Sequence, residues 1–181
     1  DDLARANRQL TEFSYSDPLT GLANRRRLDE AGREVIAQAR EKRWSLSLIL
    51  LDLDDFKQFN DEYGHLAGDL ALQFVAGELK AELRPADLIA RFGGEEFACL
   101  LTATDLDEAR QVAERMRNRI SDASQRVLAK RYRALTISAG VARLEPGDTK
   151  FEDLIERADQ ALYRAKAAGR NQVKAAGAKD Y

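Results

Sequence analysis

Five carboxylates crowd into two short stretches of the chain: Asp52, Asp54 and Asp55 in "LDLDDF", and Glu95 and Glu96 in "RFGGEEF". Neighbouring like charges repel and add nothing to a fold, so acids gathered after an apolar run and beside a Gly-Gly turn call for positive partners. Alternation along an extended strand puts Asp52 and Asp54 on one face. Asp54 or Asp55 also suits the N-cap of a following helix, and that role alone would explain one of them. The chemical alternative is a hard divalent cation such as Mg²⁺, held between a strand-end carboxylate and the carboxylates of the turn. Each cluster by itself is ordinary; the two together favour the metal.

A cation with only one or two carboxylate ligands completes its shell with water and substrate phosphates. The amides of Asp55, Phe56 and Lys57 open a helix and offer an anion site. Further along, Phe151, Leu154, Ile155, Ala158 and Leu162 form an apolar helical stripe, with Tyr163, Lys166 and Arg170 beside it. Lys166 and Arg170, four residues apart, can reach one polyphosphate; equally, they can simply complement the dipole at a helix C-terminus.

These residues need a scaffold. "LSLILLDL" from Leu46 to Leu53 is apolar on both faces and reads as a central, covered strand. Helices are expected over about 25–40, 56–63, from Ala67 through "GELKAEL" with Leu70, Phe74, Val75 and Leu79 on its stripe, over 106–120, and over 151–168 closed by Gly169. "DLIARF" and "EEFACLLTA" form a hairpin through Gly93-Gly94, where positive φ costs glycine little. "ALTISAGVARL" and "NQVKAA" supply two more strands. The fold class is α/β (α+β): a central mixed sheet of about five strands surrounded by helices, without a domain break in residues 15–177. Residues 1–14 place Leu3, Ala6, Leu10 and Phe13 at seam spacing, either a solvated helix or the end of a coiled-coil linker, and 178–181 form a short tail.

With 181 residues, 44% hydrophobic and 33% charged, the chain has the composition of an ordinary globular domain rather than a disordered one. A net charge of −2 speaks against a general nucleic-acid binder. The lone Cys99, inside "FACLL", permits no intramolecular disulfide and reads as a small buried hydrophobe. No run of 18 apolar residues and no signal-peptide pattern occur, so the expected location is the cytoplasm without direct membrane contact, including the cytosolic part of a longer, tethered protein.

Four blocks in order, "DPLTGLANRR", "DLDDFKQFNDEYGHLAGD", "RFGGEEF" and "ADQALYRAKAAGRNQV", closely resemble the GGDEF domain of bacterial diguanylate cyclases, in the variant whose signature reads GGEEF. The resemblance covers about residues 15–175. It implies a core similar to nucleotidyl cyclases and polymerase palms, and the condensation of two GTP into cyclic di-GMP with release of two pyrophosphates. It further implies Mg²⁺, or Mn²⁺, held by Asp52, Glu95 and the carbonyl of Leu53. Glu95 is then also the base for the 3′-hydroxyl and begins the return strand facing Asp52. Glu96 points to the opposite face with a less defined catalytic part, and Lys57 stabilises charge at the transferring phosphate.

On the substrate side, the resemblance implies that Asn60 and Asp69 read the guanine edge. An amide can pair with O6 or N7, and a carboxylate accepts from the N1 and N2 hydrogens that adenine lacks. His65 falls at a nucleotide-contact position, though it also suits loop capping; Asp55, Phe56 and Lys57 lie along the phosphates, and Lys166 and Arg170 at their end. Arg84-Pro85-Ala86-Asp87 matches an R-x-x-D inhibitory site for the product, with Arg115 as a possible second contact; its plain alternative is a helix-end Arg and a turn Asp. A product with two-fold symmetry implies a homodimer, and the family implies an upstream sensory or receiver domain in a longer parent chain. The rival function is a catalytically silent receptor for cyclic di-GMP or GTP on the same fold.

Overall fold

A computed structural model describes residues 15–177. The expected linker helix over 1–14 and the tail over 178–181 lie outside the described residues.

β2 (Leu46–Leu53) is buried along its whole length, and its alternation divides the core in two. Ile49, Leu51 and Leu53 face one cluster, Leu46, Leu48 and Leu50 the other. Helices therefore have to cover both faces, because an apolar strand gains about 25 cal/mol per Å² only where water is excluded. α1 (Arg25–Lys42) and α5 (Phe151–Ala167) cover the even-residue face through Leu28, Ile36, Ala39, Phe151, Leu154, Ala158 and Leu162. α2 (Phe56–Tyr63), α3 (His65–Lys80) and α4 (Leu106–Val127) cover the other. Among the described residues the sheet has six strands in the order β1-β3-β4-β2-β5-β6, with β1 at Ala23–Asn24, β3 at Leu88–Arg91, β4 at Glu96–Thr102, β5 at Ile137–Arg143 and β6 at Val173–Ala175. β2 pairs antiparallel with β4 and β5, and β3 pairs antiparallel with β4. β1 runs parallel to β3 and β6 parallel to β5, so the sheet is mixed as expected.

Four local expectations are corrected. Gly93 and Gly94 do not take positive φ; the β3–β4 connection is instead the four residues 92–95, closed by Phe92 N–H and Gly93 N–H on the Glu96 carbonyl at 2.8 and 3.3 Å. Leu70 is exposed rather than on the α3 core stripe, which Ala67, Ala71, Leu72, Val75, Ala76 and Leu79 form. α4 runs two turns past residue 120, because Ala123 and Ser124 continue its buried face. α5 ends at Ala167, so Arg170 lies in the following loop and not on the helix.

Cys99 is fully buried, and burial pushes its thiol pKa well up, as suits an inert hydrophobe. No helix among the described residues is long and apolar enough to cross a membrane.

Candidate active site

The site forms where β2 ends. Antiparallel register sets Asp52 directly opposite Glu96, and Leu53 N–H donates to the Glu95 carbonyl at 3.2 Å. Directly opposed residues share a face, so Glu96 lies on the same side as Asp52. This reverses the expectation for the signature pair: the return strand starts at Glu96, one residue later than alternation from Glu95 assumes, and Glu95 stays in the turn. Gly93 makes room for this arrangement, since a Cβ there would stand 2.5 Å from Glu96 Oε2.

Asp52 is 5% exposed. Its carboxyl is raised to about 6, chiefly by burial, against a hydrogen bond and the charge of Lys166 that lower it and with Glu95 and Glu96 adding to the rise. Lys166 Nζ sits 2.8 Å from Asp52 Oδ1. Arg170 Nε lies 3.3 Å from Asp55 Oδ1. Both cations thus turn toward the acid cluster, a better description than simple service to the helix dipole.

The structure removes the N-cap explanation. Asp55 occupies the N-cap of α2 but its side chain makes no capping bond, and its backbone is left-handed at φ 55°. Arg133 Nη2 donates to the Asp55 carbonyl at 2.7 Å and supports that strained residue. Asp54 is committed elsewhere, to Thr136, Ser138 and Asn171. The first amides of α2 therefore open without a side-chain cap, at the edge of the cleft.

That cleft, about 530 Å³, is lined by Phe56, Lys57, Asn60, His65, Asp69 and Glu95, together with Asp61, Leu72, Arg91 and Gly94. Asn60 Oδ1 is buried without a hydrogen-bond partner. Such an atom costs about 1–3 kcal/mol unless a ligand satisfies it. Gly68 permits the arrangement: a Cβ there would fall 1.8 Å from the Asn60 oxygen. Sequence reading missed Gly68 and also Arg91, whose Nε and Nη2 hold the Gly94 carbonyl at 3.0 and 2.8 Å while Nη1 pairs with Asp17 at 3.1 Å. The signal for both was only their place inside the motifs.

Arg84 and Asp87 lie apart from this cleft. Arg84 N and Nε donate to Asp87 Oδ2 at 3.1 and 3.3 Å, the turn arrangement, yet Asp87 Oδ1 is buried and unpartnered. A second cavity of about 220 Å³ is lined by both, and Arg115 reaches it from α4.

Among the described residues no three His, Cys, Asp or Glu side chains already stand at metal-ligating spacing. The donors nevertheless suit a hard cation. Two carboxylates and a carbonyl leave most of the shell to water and phosphate oxygens, and the mutual repulsion at Asp52 is what such an ion relieves.

The family model "Diguanylate cyclase, GGDEF domain" matches residues 14–172. The chain is 48% identical over 163 residues to the diguanylate cyclase DgcP of Pseudomonas aeruginosa, covering 90% of this chain and 24% of that protein. Among solved structures it is similar to the GGDEF domain of DgcB from Caulobacter crescentus in complex with c-di-GMP, with a TM-score of 0.85, 36% identity and coverage of 91% and 94%. It is also similar to the active GGEEF domain of a diguanylate cyclase from Vibrio cholerae, with a TM-score of 0.80, 35% identity and coverage of 87% and 99%. The chain spans about a quarter to a half of the length of the curated relatives it matches.

Proposed function

The chain belongs to the GGDEF family of diguanylate cyclases, which convert GTP into cyclic di-GMP, and from that premise we propose that this domain condenses two GTP as one half of a homodimer. The observation that carries the reading is convergence. Asp52 and Glu95–Glu96, more than forty positions apart in sequence, meet at the end of β2 beside a cleft holding an unpartnered Asn60 oxygen.

In this reading Asn60 and Asp69 hold the guanine edge, and His65 borders it. Lys57 and the amides opening α2 lie along the phosphates, with Lys166 and Arg170 at the terminal ones. Asp52, Glu95 and the Leu53 carbonyl are the residues to hold Mg²⁺ or Mn²⁺, which would acidify the 3′-hydroxyl and stabilise phosphoryl charge. Glu95 accepts the proton of the 3′-hydroxyl, and the oxygen attacks the α-phosphate of the GTP on the facing protomer while pyrophosphate leaves. Glu96, beside Asp52, adds to the negative field that favours cation binding.

Arg84 and Asp87, with Arg115 across the same cavity, form the proposed inhibitory site for the product. The bound c-di-GMP of the Caulobacter relative supports product recognition by this fold. An upstream sensory or receiver domain and a cytoplasmic location complete the proposal; the greater length of the relatives supports the former.

Incubation with GTP and Mg²⁺ followed by mass identification tests it. Cyclic di-GMP and pyrophosphate in one-to-two ratio are expected; a demonstrably dimeric sample that yields neither would overturn the cyclase reading and leave the receptor.

A further inference from the structure

Asp54 is the buried acid of the cluster that the proposed reaction does not use. It is 5% exposed, and its carboxylate is satisfied by uncharged donors: Ser138 Oγ on Oδ1 at 2.7 Å, and Thr136 Oγ1 and the Asn171 N–H on Oδ2 at 2.7 and 2.9 Å. Its own N–H donates to the Thr136 carbonyl at 2.9 Å. Three pieces of chain, the end of β2, the entry to β5 and the loop after α5, are therefore tied at one side chain.

The loop needs the tie. Gly169, Arg170 and Asn171 take φ of 115°, 65° and 47° in succession. A left-handed non-glycine residue costs about 1–3 kcal/mol and persists only where its surroundings hold it. Asn171 is held by Asp54 through its N–H and by Arg117 Nη1 on its Oδ1 at 3.0 Å. Arg170, itself left-handed between Gly169 and the left-handed Asn171, reaches Asp55. Consecutive acids thus grip consecutive loop residues: Asp54 takes the backbone of 171 and Asp55 the guanidinium of 170.

We propose that Asp54 is a positioning residue: by fixing the strained 169–171 loop to the end of β2, it sets where Arg170 stands relative to the acid cluster and so governs affinity for the triphosphate portion of the nucleotide. This rests on the proposed GTP reading of the cleft. Asp54 touches neither the guanine side of the cleft nor the Asp52–Lys166 pair, so its removal separates triphosphate affinity from base affinity.

The test compares dissociation constants for GTP, supplied as its 3′-deoxy analogue so that no turnover occurs, and for GMP, measured by calorimetry in Mg²⁺ on the full chain, for wild type, Asp54→Ala and Asp54→Asn. Asp54→Ala should weaken GTP about tenfold and leave GMP within about twofold. Asp54→Asn should restore most of the GTP affinity, because its amide oxygen can still accept from Asn171 while its NH₂ donates to the rotatable Ser138 hydroxyl. A metal-ligating role for Asp54 predicts the opposite, no rescue by the neutral amide. If Asp54→Ala does not fold, the double variant Thr136→Val with Ser138→Ala should show the same selectivity at about three- to fivefold. Unchanged GTP binding, equal loss of both nucleotides, or absence of rescue overturns the proposal. A wild type that binds neither nucleotide overturns the underlying GTP reading instead.

Discussion

Asp52 is buried beside two other carboxylates, with one lysine to offset them. A buried charge with like-charged neighbours destabilises the fold unless something compensates. Asp52→Asn removes the charge at constant volume and frees Lys166 for solvent. In metal-free buffer at neutral pH the variant should melt no lower than wild type, while its cyclic di-GMP synthesis with Mg²⁺ supplied falls about 100-fold or more; a clear drop in melting temperature would make Asp52 structural. Asp148 is the contrasting acid. Burial opposes its charge, but hydrogen bonds from Arg157 and the Glu145 N–H, with the charge of Arg157, hold its pKa below the ordinary 3.8. A lowered folded pKa contributes stability above the unfolded value and loses it as pH falls below that value. Asp148→Ala should cost about 2–4 kcal/mol at pH 7 in urea titration, and the gap should narrow on acidification below about pH 4. Both the Asp52 cluster and the GGEEF acids were legible from residue type alone. The face of Glu96 was not, because it depends on where pairing begins, and one residue of register inverts every side chain.

At the scale of elements, strong periodicity was readable and small residues were not. β2 declared itself by eight residues of apolar run, and its bounds match expectation. The last two turns of α4 went unread because Ala123 and Ser124 carry the buried face with little apolar surface. Ser124 instead works by hydrogen bonding, its Oγ taking the Leu135 N–H and donating to Ser121 or Leu135 carbonyls at 3.0 Å. β1, two residues long, offers no period at all. Gly140 in β5 is a further silent residue. A Cβ there would stand 2.1 Å from the Ala158 carbonyl oxygen and 2.2 Å from the Leu162 nitrogen, both backbone atoms of α5 that cannot step aside. The helix lies directly on the strand, and that contact places Lys166 over Asp52. Gly140→Ala should therefore lower stability by about 3 kcal/mol or more. Where the variant remains folded at low temperature, GTP turnover should fall even though residue 140 lines no cleft. Wild-type stability and turnover together would show that α5 can shift without consequence.

The whole molecule poses a question of stoichiometry. Among the described residues, the guanine-edge candidates Asn60 and Asp69 line a single cleft beside the acid cluster at the end of β2. Cyclic di-GMP contains two guanosines joined by two phosphodiester bonds, so on the proposed reading a single domain supplies half of what the reaction needs. If both bonds require two competent halves facing each other, wild type mixed with the turn variant Glu95→Gln at fixed total concentration should lose activity as the square of the wild-type fraction. Half wild type then gives about a quarter of full activity, because pairing is random and a mixed pair forms at most one of the two bonds and so releases no cyclic product. A decline in simple proportion would mean that one chain completes the reaction alone. Exchange between protomers must be complete for the square law to hold, so the mixtures are equilibrated until activity is constant in time. The same series run over a range of total concentration should show activity per chain rising with concentration and falling on dilution, since association precedes turnover when the facing halves come from separate chains.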